Sequence, residues 1–311
     1  MKGQVGRQGS IVYLRLGHHC YQYDERQKPL GAGAMGVVFR GIDCDTREPV
    51  AIKRVRDKYA NNPEIRRRAH QEADLMFRHP NLVEMLGCCE LYPTKGPIFI
   101  VSRFVKGENI DTFINKNVRS LPNAERRICE LFFPVLDALS YIHKKGIIHM
   151  DIKPSNIMIE LGRNVRLMDL GIADVSETIN NSTSGMMGTP KYAAPEQFSD
   201  RESKPQLTTA TDIYEAGITL YELITKQNPF NACTIEEAKE QHQGLILPKA
   251  PGLSDSIYNV LRRATSVDPK QRYQSAEAMR LAIKQGLSMP FPEPTIVDKI
   301  KDLFRVLKNN L

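Results

Sequence analysis

The sequence lacks any uninterrupted apolar run close to the roughly 18 residues that a membrane-spanning helix requires. Its first ten residues, MKGQVGRQGS, are basic, but no apolar segment follows them, so we predict no secretory signal. None of the six cysteines forms a C-x-x-C pair, and the adjacent Cys88 and Cys89 are poorly placed to bind a metal or to form a disulfide. We therefore expect reduced thiols and a cytoplasmic location.

Aromatic residues are also missing from the most basic segment. The chain carries 43 Lys and Arg against 36 Asp and Glu, and its largest basic cluster is Arg66, Arg67 and Arg68. Proteins that bind single-stranded nucleic acid usually combine such cations with aromatic side chains, so we expect no nucleic-acid partner. A length of 311 residues, with 41% hydrophobic and 25% charged residues, fits a globular protein of one two-lobed domain or of two domains.

Residues 149–169 carry four polar side chains in an apolar setting: Asp151, Lys153, Asn156 and Asp169. Apolar residues at 157–159 and 165–168 flank a turn signature at 161–164, a pattern that predicts a β-hairpin. Folding the hairpin back would bring Asn156 close to Asp169. An amide oxygen and a carboxylate at one point form a site that suits Mg²⁺.

The run His149-Met-Asp-Ile-Lys-Pro-Ser-Asn156 resembles the catalytic loop of eukaryotic-type (Hanks-type) serine/threonine protein kinases, and residues 169–171 resemble their D-F-G motif with Leu for Phe. The wording of residues 194–198 and 212–225 is similar to that of bacterial members. The resemblance implies an α+β, bilobal protein kinase fold with a small β-rich N-lobe, which contains one key helix, and a larger, mostly helical C-lobe.

The implied reaction is transfer of the γ-phosphoryl group of ATP to Ser or Thr hydroxyls of protein substrates, including the kinase itself. Resemblance assigns Asp151 to orient the hydroxyl and accept its proton, and Lys153 to contact the γ-phosphate. Asn156 and Asp169 are expected to bind Mg²⁺, with Mn²⁺ as an alternative.

A glycine-rich stretch, residues 31–36, precedes a strand-like run at 37–41. Its glycines, Gly31, Gly33 and Gly36, would let backbone N–H groups approach phosphate oxygens. A dinucleotide-binding fold would need a helix directly after the third glycine, whereas this chain continues as a strand. In the family this loop covers ATP, and the resemblance adds Val38, Ala51 and Met158 to the nucleotide-binding residues.

Lys53 lies in the apolar run 50–53, where a buried cation must find an anion. By resemblance it holds the α- and β-phosphates. Its carboxylate partner should come from a helix that begins at Asn62, a good N-cap. The family's usual interval before His79 points to His70, but helical spacing groups Ile65, Ala69, Glu72 and Met76 on one face, so we select Glu72.

The apolar run 98–101 leads into a segment that resembles the hinge between the two lobes. There the backbone groups of Arg103 and Val105 are expected to bond adenine. Ser102 occupies the position that gates the pocket behind adenine, and its small size predicts a roomy back pocket.

Residues 170–195 resemble an activation segment, which is rich in small polar residues and ends in a substrate-docking strip and the A-P-E motif. We expect Glu196 to pair with Arg272, and Asp212 to hold the backbone of the catalytic loop. Met150 stands where the family usually has an Arg that binds a phosphate on this segment. We therefore expect a non-RD kinase whose activity depends weakly on phosphorylation of the segment.

The predicted boundaries are an N-terminal extension over 1–22, a kinase domain over 23–288 (N-lobe 23–105 and C-lobe 106–288) and an amphipathic helix over 289–311. We expect residues 11–16 to add a strand and residues 3–10 to form a flexible lead. The last helix would dock on the domain, bind a partner or lie on a membrane surface. A pseudokinase, a pure scaffold and a small-molecule kinase remain as alternatives, but the charged positions are intact and the docking strip favours protein substrates.

Overall fold

A computed structural model of the chain describes residues 3–33, 36–57, 66–67, 69–70, 76–90, 96–169, 189–198, 207–232, 234–244 and 246–288. Within these ranges no helix has both the length and the apolar character needed to cross a membrane.

The first part of the chain forms an eight-stranded antiparallel sheet in the order β1-β2-β3-β5-β6-β8-β7, with the short β4 paired to β5. Its strands are β1 (Gln4–Gln8), β2 (Ile11–Leu16), β3 (His19–Asp24), β4 (Gly31–Ala32), β5 (Gly36–Asp43), β6 (Pro49–Val55), β7 (Met85–Glu90) and β8 (Ile98–Arg103). Buried apolar residues alternate with more exposed residues along β2 and β3, so one face of each strand is buried.

The N-terminal strands extend this sheet. The predicted strand at 11–16 is confirmed as β2, whereas the expectation of a flexible lead over 3–10 is wrong, because Gln4–Gln8 pairs with β2 in antiparallel register. A bridge between Gly3 and Cys89 brings β1 to β7, at the other end of the sheet order. The sheet thus curls toward closure around a core of Val12, Leu14, Leu16, Tyr21, Tyr23, Phe39, Val50, Ile52, Cys89, Phe99 and Val101.

Residues 66–67 and 69–70 are helical and lie between β6 and β7 in the chain. Ala69 is buried, as the predicted helical stripe requires, but Met76 is 66% exposed. The placement of Met76 on that stripe is therefore wrong. The physical reason is that the backbone at residue 76 is not helical, so the helical period does not extend to it. Ile65 and Glu72 lie outside the described residues.

The second part of the chain is mostly helical. Its helices are α1 (Ile110–Asn117), α2 (Ala124–His143), α3 (Thr209–Thr225), α4 (Ile235–Gln243), α5 (Asp255–Ala264) and α6 (Ala276–Ser288). Helix α2 buries an apolar stripe, since Ile128, Phe132, Val135, Leu136, Leu139 and Ile142 are each at most 1% exposed. Helix α3 is buried along nearly its whole length and packs against α2 and α5.

A small three-stranded sheet lies beside these helices, in the order β11-β10-β9, with β9 at Gly107–Asn109, β10 at Ile157–Glu160 and β11 at Asn164–Leu167. The predicted hairpin is therefore confirmed, with Ile157 opposite Leu167. The amide of Leu167 donates to the carbonyl of Asn81 (2.8 Å), and the amide of Val83 donates to the carbonyl of Leu167 (3.1 Å). These bonds attach the hairpin to the segment that leads into β7.

Candidate active site

Asp151 lies at the centre of a compact polar cluster on the loop between α2 and β10. The Nζ atom of Lys153 is 2.7 Å from Oδ2 of Asp151, and the hydroxyl of Thr189 donates to Oδ1 (2.7 Å). Lys153 also donates to the Thr189 hydroxyl (2.5 Å). The loop and Thr189 thus meet at one carboxylate, that of Asp151.

Two opposing effects act on the pKa of Asp151. Burial raises it, since the residue is only 8% exposed, but the charge of Lys153 and the hydrogen bonds from Lys153 and Thr189 outweigh burial and hold the pKa below its ordinary value. Asp151 is therefore ionised at neutral pH, which is the state that can accept a proton or orient a hydroxyl.

Asn156 ends a short 3-10 turn, Pro154–Asn156, immediately before β10. The Nδ2 atom of Asn156 donates to both the carbonyl (2.9 Å) and Oδ2 (2.8 Å) of Asp151. The Oδ1 atom of Asn156 is then the side-chain atom that could bind a cation. The amide of Met168 donates to the carbonyl of Asn156 (2.9 Å), so the two ends of the hairpin meet next to Asp169. An amide oxygen and a carboxylate are hard donors that fit Mg²⁺ with phosphate oxygens and water in its remaining positions.

Asp169 has a left-handed backbone, with φ of 46°, and its side chain is 46% exposed. Its Oδ1 lies 3.6 Å from Nζ of Lys53 on β6. The structure therefore brings the predicted phosphate-binding lysine and the predicted metal ligand together. This pair links the large sheet to the end of the small hairpin.

The glycine-rich stretch includes β4 and the start of β5, which pair with each other, and the amide of Gly33 donates to the carbonyl of Gly36 (2.9 Å). A Cβ added to Gly31 or Gly33 would meet no atom within 4 Å, so there is open space beside both residues. A Cβ on Gly36 would lie 2.6 Å from the carbonyl oxygen of Arg54, which requires glycine there. Ala34 and Met35 lie outside the described residues.

The predicted nucleotide-binding residues sit on neighbouring strands. Ala51 pairs with Ser102 in the β6–β8 ladder, and Val38 pairs with Lys53 in the β5–β6 ladder. The amide of Arg103 donates to the carbonyl of Glu84 (2.9 Å), so this amide already has a partner within the protein. Val105 is buried, and Met158, on β10, is half-buried.

Glu160, on β10, ties the hinge to the hairpin. The Arg103 guanidinium donates to Oε1 of Glu160, and Arg166 donates to Oε2 (2.9 Å). Burial raises the pKa of Glu160, but these two guanidinium groups outweigh burial and hold it below the ordinary value. The side chain of Arg103 therefore has a structural contact, while its backbone is the part expected to face adenine.

Asp212, near the start of α3, is fully buried and holds the catalytic loop as predicted. Its Oδ2 accepts from the amide of His149 (2.8 Å) and contacts Nε2 of His143 (2.7 Å), and its Oδ1 accepts from the amide of Met150 (2.9 Å). Met150 has φ of 64°, a conformation that is costly for a residue with a Cβ. The hydrogen bond to Asp212 helps to fix this strained backbone.

The predicted Glu196–Arg272 pair is also present. Arg272 is fully buried and donates to Oε1 (2.7 Å) and Oε2 (2.8 Å) of Glu196, a bidentate pair. Arg272 also donates to the carbonyl oxygens of Ala210, Ser266 and Val267. Arg272 therefore connects the end of the docking strip to the start of α3.

Sequence reasoning missed three contacts. The first is the bond from Thr189 to Asp151, because the sequence showed Thr189 only as one residue of the docking strip. The second is the bond from Ile152 to Glu215, although an acid within the buried helix α3 was a signal that could have identified it. The third concerns His70, the competing candidate for the partner of Lys53: its Nε2 lies 2.5 Å from Oε1 of Glu90 on β7. Glu72, Leu170 and the activation segment through 188 lie outside the described residues.

Comparison with known proteins gives matches over most of the chain. The family model described as the protein kinase domain matches residues 24–283. A probable serine/threonine-protein kinase PknB of Lactococcus lactis is 31% identical over 294 residues, which cover 91% of this chain and 45% of that protein. The serine/threonine-protein kinase PrkC of Bacillus subtilis is 32% identical over 262 residues, or 82% of this chain and 39% of that protein.

Among solved structures, the PknI kinase domain of Mycobacterium tuberculosis matches with a TM-score of 0.62 at 23% identity, over 83% of this chain and 94% of that one. This likeness supports the bilobal fold. The chain spans less than half the length of the curated relatives it matches.

Proposed function

The chain belongs to the protein kinase family, and from this premise we propose that it is a serine/threonine protein kinase that transfers the γ-phosphoryl group of ATP to hydroxyls of protein substrates, including its own. The observation that carries the proposal is the cluster of Asp151, Lys153 and Thr189, which combines an ionised carboxylate, a cation and a hydroxyl within 2.5–2.9 Å of one another.

Each residue has a distinct task in the proposed reaction. Asp151 would orient the substrate hydroxyl and accept its proton, and Lys153 would neutralise charge on the transferred group. Lys53 would hold the α- and β-phosphates, with Glu72 as its proposed partner. Gly31, Gly33 and Gly36 would place backbone amides on the phosphates.

The remaining proposed ligands hold adenine and the metal. Val38, Ala51, Ser102 and Met158 would line the adenine pocket, and the backbone of Arg103 and Val105 would bond the base. Asn156 and Asp169 would hold Mg²⁺, or alternatively Mn²⁺, and the bound ion would supply charge neutralisation at the phosphates.

The lysine after the catalytic aspartate supports Ser and Thr as acceptors, because the pattern D-x-K-P-x-N resembles the serine/threonine class. Protein substrates are supported by the docking strip that ends at Glu196. Met150 supports a further proposal, namely activity that depends only weakly on phosphorylation of the activation segment, because this position offers no cation to a phosphate.

Radiolabelled ATP, supplied with and without an added protein substrate, tests the function. We expect label on the chain itself and on the substrate, and the loss of both in Asp151→Asn, which should still bind ATP. Label in neither protein, despite ATP binding, would indicate a nucleotide-binding pseudokinase. Label that appears only on small molecules would indicate a small-molecule kinase.

We also propose that residues 23–288 form the kinase domain and that residues 289–311 form a helix that docks on it or binds a partner. Deleting residues 290–311 and measuring the melting temperature distinguishes the two, because only a docked helix should contribute stability. The cytoplasmic location is likewise a proposal, supported by the free thiols of the five cysteines within the described ranges.

A further inference from the structure

Glu215, on α3, holds the peptide backbone of the catalytic loop. Its Oε2 accepts from the amide of Ile152 (2.8 Å), and Ile152 lies between Asp151 and Lys153. Thr219, about one turn further along α3, donates to the carbonyl of Ile152 (2.8 Å). Both backbone polar groups of Ile152 are therefore fixed by α3.

The same carboxyl is placed beside a second element. Gln197, in the 3-10 turn Pro195–Phe198 at the end of the docking strip, lies near enough to this carboxyl to lower its pKa against burial, and it accepts from the amide of Ala194 (2.5 Å). Glu215 is 1% exposed, and burial, followed by the nearby charge of Asp212, raises its pKa well above the ordinary value. A neutral carboxyl at this position can still accept the hydrogen bond from Ile152.

We propose that Glu215 is a positioning residue for the reaction: it fixes the backbone between Asp151 and Lys153 by accepting from the amide of Ile152. This inference rests on the proposed kinase function. A misplacement of about 1 Å in a catalytic group can lower turnover about 100-fold, so loss of the Ile152 bond should appear in kcat.

Two substitutions of similar length separate the roles of Glu215. Glu215→Gln keeps a carbonyl acceptor for Ile152 and no charge, whereas Glu215→Met removes the acceptor. We expect Glu215→Gln to retain kcat within a fewfold of wild type. Glu215→Met should lower kcat by about 10- to 100-fold while KM for ATP changes little, because the nucleotide-binding residues are elsewhere.

Hydrogen–deuterium exchange of residues 149–153 provides a second measurement that needs no activity. In the Asp151→Asn background, adding Glu215→Met should speed exchange at the Ile152 amide and adding Glu215→Gln should not. This result would support the positioning role even if the chain proved inactive, so failure of the kinase proposal and failure of this one are distinguishable.

Three outcomes would overturn the proposal: wild-type kcat in Glu215→Met, equal losses in the Gln and Met variants, or unchanged exchange at Ile152. If Glu215→Met fails to fold, Thr219→Val tests the same peptide, since it removes the bond to the Ile152 carbonyl. Wild-type kcat in that variant would then count against positioning by α3.

A separate observation concerns two cysteines on the outer face of the large sheet. Tyr21 pairs with Asp43 between β3 and β5, so Cys20 and Cys44 are the next opposed residues. The amide of Cys44 donates to the carbonyl of Cys20 (2.7 Å), and the Cys44 thiol donates to Oε1 of Gln22 (3.8 Å). Both residues are partly exposed.

The pairing distance suits a disulfide, but not without strain. Opposed residues of a hydrogen-bonded antiparallel pair have Cα atoms about 5.5 Å apart, within the range of disulfides. Their Cβ atoms are typically about 4.5–5.5 Å apart, at or beyond the upper end of the disulfide range. A bond formed here should therefore be easy to reduce.

We infer that Cys20 and Cys44 form a reversible disulfide with hydrogen peroxide as oxidant. The Cys20 thiolate attacks one peroxide oxygen, which breaks the O–O bond and gives a sulfenic acid and, after protonation, water. The sulfur of Cys44 then attacks that of Cys20, which forms the S–S bond and releases the oxygen as a second water. Two thiols lose two electrons in total, and one peroxide gains them. Burial and then Cys20 raise the pKa of Cys44 to about 11, which disfavours Cys44 as the first nucleophile.

The test treats the full chain with hydrogen peroxide, blocks free thiols with N-ethylmaleimide and maps the peptides by mass spectrometry. We expect a Cys20–Cys44 cross-link that dithiothreitol reverses, while the fully buried Cys89 remains a thiol. In Cys44→Ser, a sulfenic-acid probe should label Cys20. Absence of the cross-link, or cross-linking of Cys20 only to a second molecule, would overturn the inference.

Discussion

The Nζ atom of Lys53 lies 3.6 Å from Oδ1 of Asp169. Lys53 is on a strand of the large sheet, and Asp169 follows the small hairpin, so the pair spans the two parts of the fold at the point where phosphates and a metal are proposed to bind. An ion pair at this point gives both residues a partner that phosphate and metal can replace.

We expect Lys53→Met to lower kcat/KM by several orders of magnitude, because the variant loses the cation proposed to hold the phosphates. Asp169→Asn should instead abolish the Mg²⁺ dependence of ATP binding. Titrations of ATP with and without Mg²⁺ measure both effects. Arg54→Met, a loss of charge at the next residue of the same strand, is the matched control and should retain activity. Equal losses in Lys53→Met and Arg54→Met would contradict the assignment.

Removing Lys153 should shift the pH dependence of activity. The pKa of Asp151 is held below 3.8 despite burial, so the wild-type enzyme should not lose this base between pH 8 and about 5. In Lys153→Met burial is less opposed, and the acidic limb of the kcat profile should move to higher pH. A limb at the wild-type position would show that Lys153 does not set this pKa. Lys144→Met, an exposed lysine, is the control.

The same shift has a consequence for stability. The pKa of Asp151 is lower in the folded protein than in the unfolded chain. Asp151 therefore adds to the free energy of unfolding at pH values above its pKa in the unfolded chain, and this stabilisation is lost as the pH falls through its pKa in the folded protein. The contribution therefore disappears only in strongly acidic solution.

Ser102 should admit ATP analogues enlarged at the adenine amino group. It is opposite Ala51 in the sheet, so two small residues are paired at the proposed adenine pocket. An enlarged purine inhibitor should compete with ATP in wild type and fail in Ser102→Met, while an ordinary purine inhibitor should work on both. Failure of the enlarged inhibitor on wild type would show that Ser102 is not the gate.

Replacing Ser182, Thr183 and Ser184 together by Ala should leave most of the activity. The expectation follows from Met150, which cannot pair with a phosphate on the activation segment. Initial rates on an added protein substrate measure it, with Asp151→Asn as the inactive reference. A near-total loss of activity in the triple variant would mean that another cation performs the task usually given to Arg at this position.

Glu196→Gln should destabilise the protein by about 3–5 kcal/mol, because it leaves the fully buried Arg272 without its charge partner. Urea unfolding measures the change. Asp137→Asn is the comparison, since Asp137 pairs with Arg280 near the surface and an exposed pair is worth about 0–1 kcal/mol. Similar losses in the two variants would indicate that the Glu196–Arg272 pair adds little beyond a surface ion pair.

Much of the candidate site could be predicted because its parts are close in sequence. The hairpin between residues 157 and 167 follows from a period of two and a turn signature, and it places Asn156 beside the end of the second strand without help from the rest of the chain. The apolar stripe of α2 was readable for the same reason. The placement of Met76 failed because helical spacing carries no information about where a helix ends.

By itself, the sequence determined the family and the chemical groups of the site, since a polar residue in an apolar run is visible wherever the chain folds. Only the tertiary structure decided which distant groups hold them: Glu215 binds an amide 63 residues away, and Thr189 a carboxylate 38 residues away. The bridge between Gly3 and Cys89, which brings β1 to β7, is another contact between residues that are distant in the chain. Such contacts arise from burial, which forces each polar group to find a partner in space, and no local period encodes which partner it finds.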